Sequence, residues 1–224
     1  HQLQRLLDRH ALITGGDSGI GRAVAVAFAQ EGCDVAIAYD QETEDAKKTK
    51  RLVEEQGRRC ILIKGDLTKT AACNKAIQQT VKAFGGIDIL VNNAAMQKPQ
   101  DDFTAIPEKQ LRLTFETNFF APFLLAQAAV KRMDKGACII NTVSITAYRG
   151  HKSLIDYSST KGALVSFTRS LSAALIDKGI RVNAVAPGAI WTPLIASTFT
   201  AKEVASYGTD SPTKRAGPPV EVAP

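Results

Sequence analysis

The sequence predicts an α/β fold: one doubly wound parallel sheet with helices on both faces. Three observations carry this. Short β-branched runs alternate with longer helical patterns, as strand-helix-strand units require. Glycines close successive helical stretches at Gly32, Gly57 and Gly85. At 224 residues, 45% hydrophobic and 22% charged, the chain suits one well-buried domain.

Each element follows in order. His10–Thr14 reads as the first strand, Gly19–Gln30 as a helix with Ala and Val facing inward, and Asp34–Tyr39 as the second strand. Residues 42–56 form a polar helix, Cys60–Lys64 the third strand, Thr70–Phe84 a helix, and residues 87–92 the fourth strand. Pro107 suits the first position of a long helix running towards Met133, which Pro122 should bend. Residues 137–143 read as the fifth strand, 156–177 as a helix and 181–186 as the sixth strand. From 191 to 217 the chain is rich in Thr, Ser and Pro, which predicts a mobile loop with short helical pieces. No repeat or linker divides residues 1–224.

The formal net charge is +6, and the mild basicity favours an anionic cofactor or substrate. The densest basic cluster, Lys47, Lys48, Lys50 and Arg51, is interleaved with Glu42, Glu44, Asp45, Glu54 and Glu55 as on a solvated helix face. It is no one-sided stripe, so nucleic acid is not expected as a partner. No apolar run approaches a membrane span. HQLQRLLDRH shows no secretory signal, although a start at His1 rather than Met leaves a removed leader open. Cys33, Cys60, Cys73 and Cys138 lack metal spacing and read as reduced, packed thiols of a cytoplasmic protein. His1, His10 and His151 are too scattered to complete a metal site, and none is expected.

TGGDSGIG, residues 14–21, falls between the first strand and the first helix. A loop there must turn sharply, let its backbone approach a pyrophosphate and aim helical N–H groups at it. Alone, Gly15-x-x-x-Gly19-x-Gly21 also allows a methyltransferase or another nucleotide-phosphate loop, but it is no Walker loop. Tyr157 and Lys161 share one helix face, which alone is a common surface pairing.

Taken with Asp66, NNAA at 92–95, Asn118, Ser144, YSSTK at 157–161 and Pro187-Gly188, the glycine pattern resembles the short-chain dehydrogenase/reductase family across the whole chain. LITGGDSGIGRAVA, KGIRVNAVAPGAIWTPL and SPTKRAGPP further resemble its glucose dehydrogenase-like, general-stress and aldehyde-reductase-type subgroup. The resemblance implies a Rossmann-type sheet, an NAD or NADP cofactor, and hydride transfer between a small carbonyl (aldehyde, ketone or sugar) and its alcohol. It also implies a homo-oligomer, dimer or tetramer. An idle dinucleotide sensor on this fold is the alternative, and the presence of both Tyr157 and Lys161 argues against it.

By the same resemblance Tyr157 is the general acid in reduction and the base in oxidation. Lys161 favours ionisation of the phenol and holds the nicotinamide ribose, Ser144 holds the substrate oxygen, and Asn118 supports a relay from Lys161 to solvent. Gly15, Asp17, Ser18, Gly19, Ile20 and Gly21 surround the phosphates, Asp66 and Leu67 the adenine, and Asn92 and Ala94 the adenosine ribose. Pro187, Gly188, Ile190 and Thr192 hold the nicotinamide. Trp191 either lines the substrate mouth or anchors the loop. Tyr39 takes the usually acidic position after the second strand, followed by Asp40; nothing basic adjoins it, so the balance leans to NAD, with Arg22 or Lys47 able to admit NADP. Two departures stand out. Ala95 replaces a family glycine, and the chain stops at Pro224, where family members continue through a helix and a seventh strand, so a truncated C-terminus lacking the last strand is expected.

Overall fold

The computed structural model describes residues 4–223; His1 and Pro224 lie outside them. Six parallel strands, β1 His10–Thr14, β2 Asp34–Tyr39, β3 Cys60–Lys64, β4 Ile89–Asn92, β5 Cys138–Thr142 and β6 Arg181–Val185, form one sheet in the order β3-β2-β1-β4-β5-β6. The chain reverses its direction of sheet growth between β1 and β4, where an open sheet of this kind leaves a crevice at its carboxyl edge. Both faces are covered. Leu12, Ala36, Leu90 and Ile139 face one core layer, while Ala11, Ile13, Val35 and Ile37 face the other. This two-sided burial explains why β2 is apolar along nearly its whole length rather than alternating.

Helices α1 Gly19–Gln30, α2 Thr43–Glu54 and α3 Thr70–Phe84 follow the first three strands. The predicted long helix is interrupted: α4 Glu108–Phe115 passes into a π turn at Glu116–Phe120 and then α5 Ala121–Val130. The cause is local. Pro122 has no N–H to offer the Asn118 carbonyl four residues back, and the Ala121 N–H reaches instead to Glu116 O. Pro107 is extended (ψ 148°) and caps α4 rather than starting it.

After β5 comes a one-turn helix that the sequence reading did not contain, α6 Thr146–Arg149, and then α7 Ile155–Leu175. The segment from 191 to 217 holds α8 Pro193–Thr198 and α9 Ala201–Ala205, closed by a parallel bridge between Ile190 and Gly217. The four cysteines are buried and unpaired, and burial pushes the Cys33 and Cys60 thiols up to about 12 and Cys73 to about 11. Among the described residues no helix is long and apolar enough to cross a membrane, and no group of three or more His, Cys, Asp or Glu could hold a metal ion.

Candidate active site

A cavity of about 900 Å³ runs along the carboxyl edge of the sheet. One end is formed at the carboxyl ends of β1, β2 and β3: Gly15, Asp17 to Ile20, Tyr39 to Glu42, and Asp66-Leu67. The other end is formed after β5 and β6 and by α7: Ser144, Tyr157, Lys161, Pro187, Gly188, Ile190 and Thr192. Ala94 sits between them.

The first end is built by glycines. Gly15, at φ +61°, turns the chain out of β1, and a Cβ on it would stand 3.0 Å from the Ala94 Cα. On Gly21 a Cβ would come within 2.1 Å of the Gly15 carbonyl oxygen, so this glycine packs α1 against its own loop and does not line the cavity. Thr14 fastens the opposite wall, its hydroxyl accepting from the Asn93 and Ala94 N–H groups at 3.0 Å each. Asn93 adds side-chain N–H bonds to Thr14 O and Gly15 O at 3.1 and 3.2 Å.

Asn92, expected under a ribose, is instead fully inside. Its amide N–H donates to Asn141 Oδ1 (2.9 Å), and Asn141 in turn donates to Thr168 on α7 (2.9 Å). Because side chains alternate along a strand, Asn92 points into the layer beneath the cavity and Asn93 and Ala94 take the wall. Ala95 lines the cavity and is not among the positive-φ residues, so its Cβ carries no backbone strain.

Asp66 accepts from the Thr68 hydroxyl and N–H at 2.6 and 2.9 Å, which holds its carboxyl below the usual range. Arg22, a candidate to swing towards a cofactor phosphate, is committed elsewhere: it donates to Asp17 O, Thr49 Oγ1 and Asp45 Oδ1 at 2.6–2.9 Å. Lys47 pairs with Glu44 at 2.8 Å. Burial pushes the Asp17 carboxyl upward, against its own N–H and the Ser18 hydroxyl.

At the other end α7 presents Tyr157, Thr160, Lys161, Leu164 and Thr168 on its buried face. Lys161 is 2% exposed; its ammonium donates to the Thr142 carbonyl at 2.7 Å and lies 5.6 Å from the centre of the Tyr157 ring. Burial lowers the Lys161 pKa to about 8. It raises the Tyr157 phenol to about 12, against a lowering by the Ser144 hydroxyl, with Tyr207 adding to the rise. The Ser144 oxygen accepts from the Thr146 N–H and hydroxyl at 3.1 and 3.0 Å, so its own proton is left to point away from α6.

Asn118, fully buried, does not reach Lys161. Its side chain accepts from the Met96 N–H (2.8 Å) and donates to Met96 O (2.9 Å) and Thr160 Oγ1 (3.1 Å). It therefore clamps the π turn to the loop after β4 and to α7, one hydrogen bond from the residue that donates to Tyr157 O at 2.6 Å. Thr146, Thr142 and Tyr207 are site residues that the sequence reading missed. The first two flank motif positions, but Tyr207 comes from fifty residues away with no motif of its own. Trp191 is not on the wall; it packs edge-on to Tyr207, ring centres 5.6 Å apart, and anchors the segment.

A sequence model of the family described as short chain dehydrogenase matches residues 9–203. The chain belongs to the short-chain dehydrogenase family. The NADPH-dependent aldehyde reductase 1, chloroplastic, of Arabidopsis thaliana is 48% identical over 226 residues, covering 98% of this chain and 78% of that one. The glucose and ribitol dehydrogenase of Daucus carota is 49% identical over 225 residues, covering 98% and 77%. Among solved structures, a short chain dehydrogenase from Burkholderia cenocepacia J2315 in complex with NADP superposes with a TM-score of 0.91 at 33% identity, covering 98% of this chain and 89% of that one. This short-chain dehydrogenase is accordingly an NAD(P)-dependent dehydrogenase or reductase. Its residues fit such a cofactor: the glycine loop is one that a Cβ would fill, and about 900 Å³ of continuous cavity is ample for a dinucleotide-sized ligand and a small substrate.

Proposed function

We propose that this dehydrogenase interconverts a small carbonyl, an aldehyde, ketone or sugar, with its alcohol, using Tyr157 as proton donor and acceptor. The observation that carries this reading is the meeting of the Tyr157 phenol, the Ser144 hydroxyl and the Lys161 side chain on one cavity wall. A bound nicotinamide supplies or takes the hydride. The phenol, raised to about 12, starts protonated at neutral pH and delivers its proton to the carbonyl oxygen as negative charge develops there. Ser144, with its oxygen engaged by Thr146, donates its remaining hydrogen to that same oxygen and polarises it. In the oxidation direction the buried Lys161 ammonium favours the phenolate that must accept the alcohol proton.

We infer a preference for NAD. Asp17, Asp40, Glu42 and Asp45 all line the end nearest Tyr39; Arg22 is held there by the Asp17 carbonyl and the Asp45 carboxylate, and Lys47 is paired with Glu44. A ribose 2′-OH suits carboxylates there, and a 2′-phosphate is repelled. The ratio of kcat/KM with NAD and NADP tests this, and Asp40→Arg should move it towards NADP; the NADPH-dependence in the Arabidopsis relative's name makes the opposite ratio the refuting result. Exposed apolar side chains on α4, the π turn and α5, Leu111, Phe120 and Phe123 among them, support self-association, which sedimentation would read. Reduced thiols support a cytoplasmic setting. Tyr157→Phe, assayed on a panel of aldehydes, ketones, sugars and sugar alcohols, tests the central proposal. Cofactor binding should persist and turnover collapse; undiminished turnover refutes it.

A further inference from the structure

The cavity is electrostatically polarised. Its carboxylates, Asp17, Asp40, Glu42, Asp45 and Asp66, all follow β1, β2 and β3. The half that follows β5 contains none, and carries Arg149 and His151 beside the Tyr157–Lys161 pair. Arg149 is the last residue of the one-turn α6, whose first residue, Thr146, donates its hydroxyl hydrogen to Ser144, so three residues, about 4.5 Å of helix axis, separate Arg149 from the residue that holds Ser144. Its guanidinium makes no ion pair and no hydrogen bond among the described residues, and it is the one arginine that lines the cavity there.

The groups around it complete the picture. His151 turns its Nδ1 to the Ser153 N–H and hydroxyl, at 3.4 and 3.3 Å, and burial with Arg149 and Lys152 nearby holds its pKa below the usual range. It is therefore a neutral neighbour, and the free positive charge is that of Arg149. Gln97, on the cavity wall after β4, keeps its side-chain Nε2 buried with no hydrogen-bond partner in the protein. A buried amide donor without an acceptor is unfavourable until something brings one. Lys161 does not compete for a ligand, being buried against Thr142 O.

We propose that the substrate of this dehydrogenase carries an oxyanion, a carboxylate or a phosphate, a short carbon chain away from the reacting carbonyl, and that Arg149 binds it. The proposal rests on the carbonyl-reducing reading above and specifies its substrate class. Arg presents two parallel N–H donors that match either oxyanion. The carboxylates at the far end repel the same anion, so the polarised cavity also fixes which way round a charged substrate enters. Gln97 supplies a further unpartnered donor elsewhere in the cavity.

Matched pairs test it: butanal against succinic semialdehyde for the carboxylate, and glyceraldehyde against glyceraldehyde 3-phosphate for the phosphate. The charged member should show at least tenfold higher kcat/KM, mostly through KM, in whichever pair carries the right anion. In Arg149→Gln the charged-to-neutral ratio should fall about tenfold, while Arg149→Lys keeps most of it and 0.5 M KCl shrinks it. Calorimetric titration with glutarate and inorganic phosphate reads binding independently of turnover, and Arg149→Gln should weaken it at least tenfold. A ratio near one in both pairs, with Tyr157-dependent turnover of the neutral members, overturns the inference and leaves the reading of the reaction standing. If no carbonyl is reduced yet glutarate or phosphate binds in an Arg149-dependent way, the anion site stands and the reaction class falls. Anion binding that is equal in wild type and Arg149→Gln overturns the site.

Discussion

Lys161→Met should stabilise the cofactor-free protein while destroying its activity. Lys161 is 2% exposed, has one hydrogen-bond acceptor, the Thr142 carbonyl, and is lowered by burial from 10.5 to about 8. At about 1.4 kcal/mol per pKa unit, keeping it charged in the folded state costs about 3 kcal/mol. Losing the charge-assisted bond to Thr142 returns part of that, so the net gain at pH 7 is about 1–2 kcal/mol. For a chain of this size that raises Tm by about 2–8 °C. The pH dependence has a definite sign. Below pH 8 both folded and unfolded states hold the proton, and the wild type bears the full penalty. Between about 8 and 10.5 the unfolded state binds more protons, so wild-type stability rises with pH and the advantage of the variant closes. Tyr157, at about 12 in the folded state and near 10 in the unfolded one, lowers stability as pH approaches 10, but it does so in both proteins and cancels in their difference. Denaturant unfolding of both proteins at pH 7 and pH 10, without cofactor, measures it. A variant less stable than wild type at pH 7, or a difference that stays flat with pH, would refute the reasoning.

Three further outcomes follow from the same geometry. Tyr157→Phe should lower kcat/KM by about 10²–10⁴ and leave cofactor affinity within a few fold, which fluorescence titration alongside steady-state rates would check. Gly21→Ala places a methyl 2.1 Å from Gly15 O and 2.7 Å from Asn93 Nδ2, so it should cost about 1–3 kcal/mol of stability and weaken the cofactor at least tenfold; normal binding in a stable variant would show that the loop can yield. Burial pushes Asp34 up, but the Arg59 N–H at 3.0 Å, the Arg59 guanidinium at 2.7 Å and Arg58 together hold it below its usual value. Its contribution is present above the unfolded carboxylate pKa and disappears as pH falls through the folded one. Asp34→Asn should therefore be less stable at pH 7, and urea midpoints of the two proteins should converge below pH 4.

Much of this molecule was legible because its punctuation is chemical. β1, β2, β3, α1 and α3 coincide with their sequence-read limits, since apolar runs end there at glycines or at residues that cannot continue the pattern. The interrupted helix was hidden because buried Gln110, Thr114, Asn118, Pro122 and Ala126 still recur every four residues across it; only the relation between Pro122 and the Asn118 carbonyl betrays it. The direction of the Asn92 side chain was hidden for a related reason. A strand buried on both faces shows no polar-apolar alternation, so nothing in LVNN says which Asn faces the cavity. Tyr207 and the free Arg149 were invisible because their roles depend on where the segment after β6 and the turn of α6 lie, not on any local motif. The commitments of Arg22 and Lys47 are likewise tertiary facts that no local motif carries.

The four buried cysteines have a practical consequence. Cys33, Cys60, Cys73 and Cys138 are distributed over β3, β5, α3 and the entry to β2, each shielded from solvent, with thiols far from the ionised form that reagents attack. Alkylation in native buffer must therefore wait for the protein to open. The rate at which mass increments appear, resolved by peptide, turns the natural thiols into four clocks distributed over the sheet and one helix packed on it. They would report whether it comes apart strand by strand or all at once, with no label engineered in.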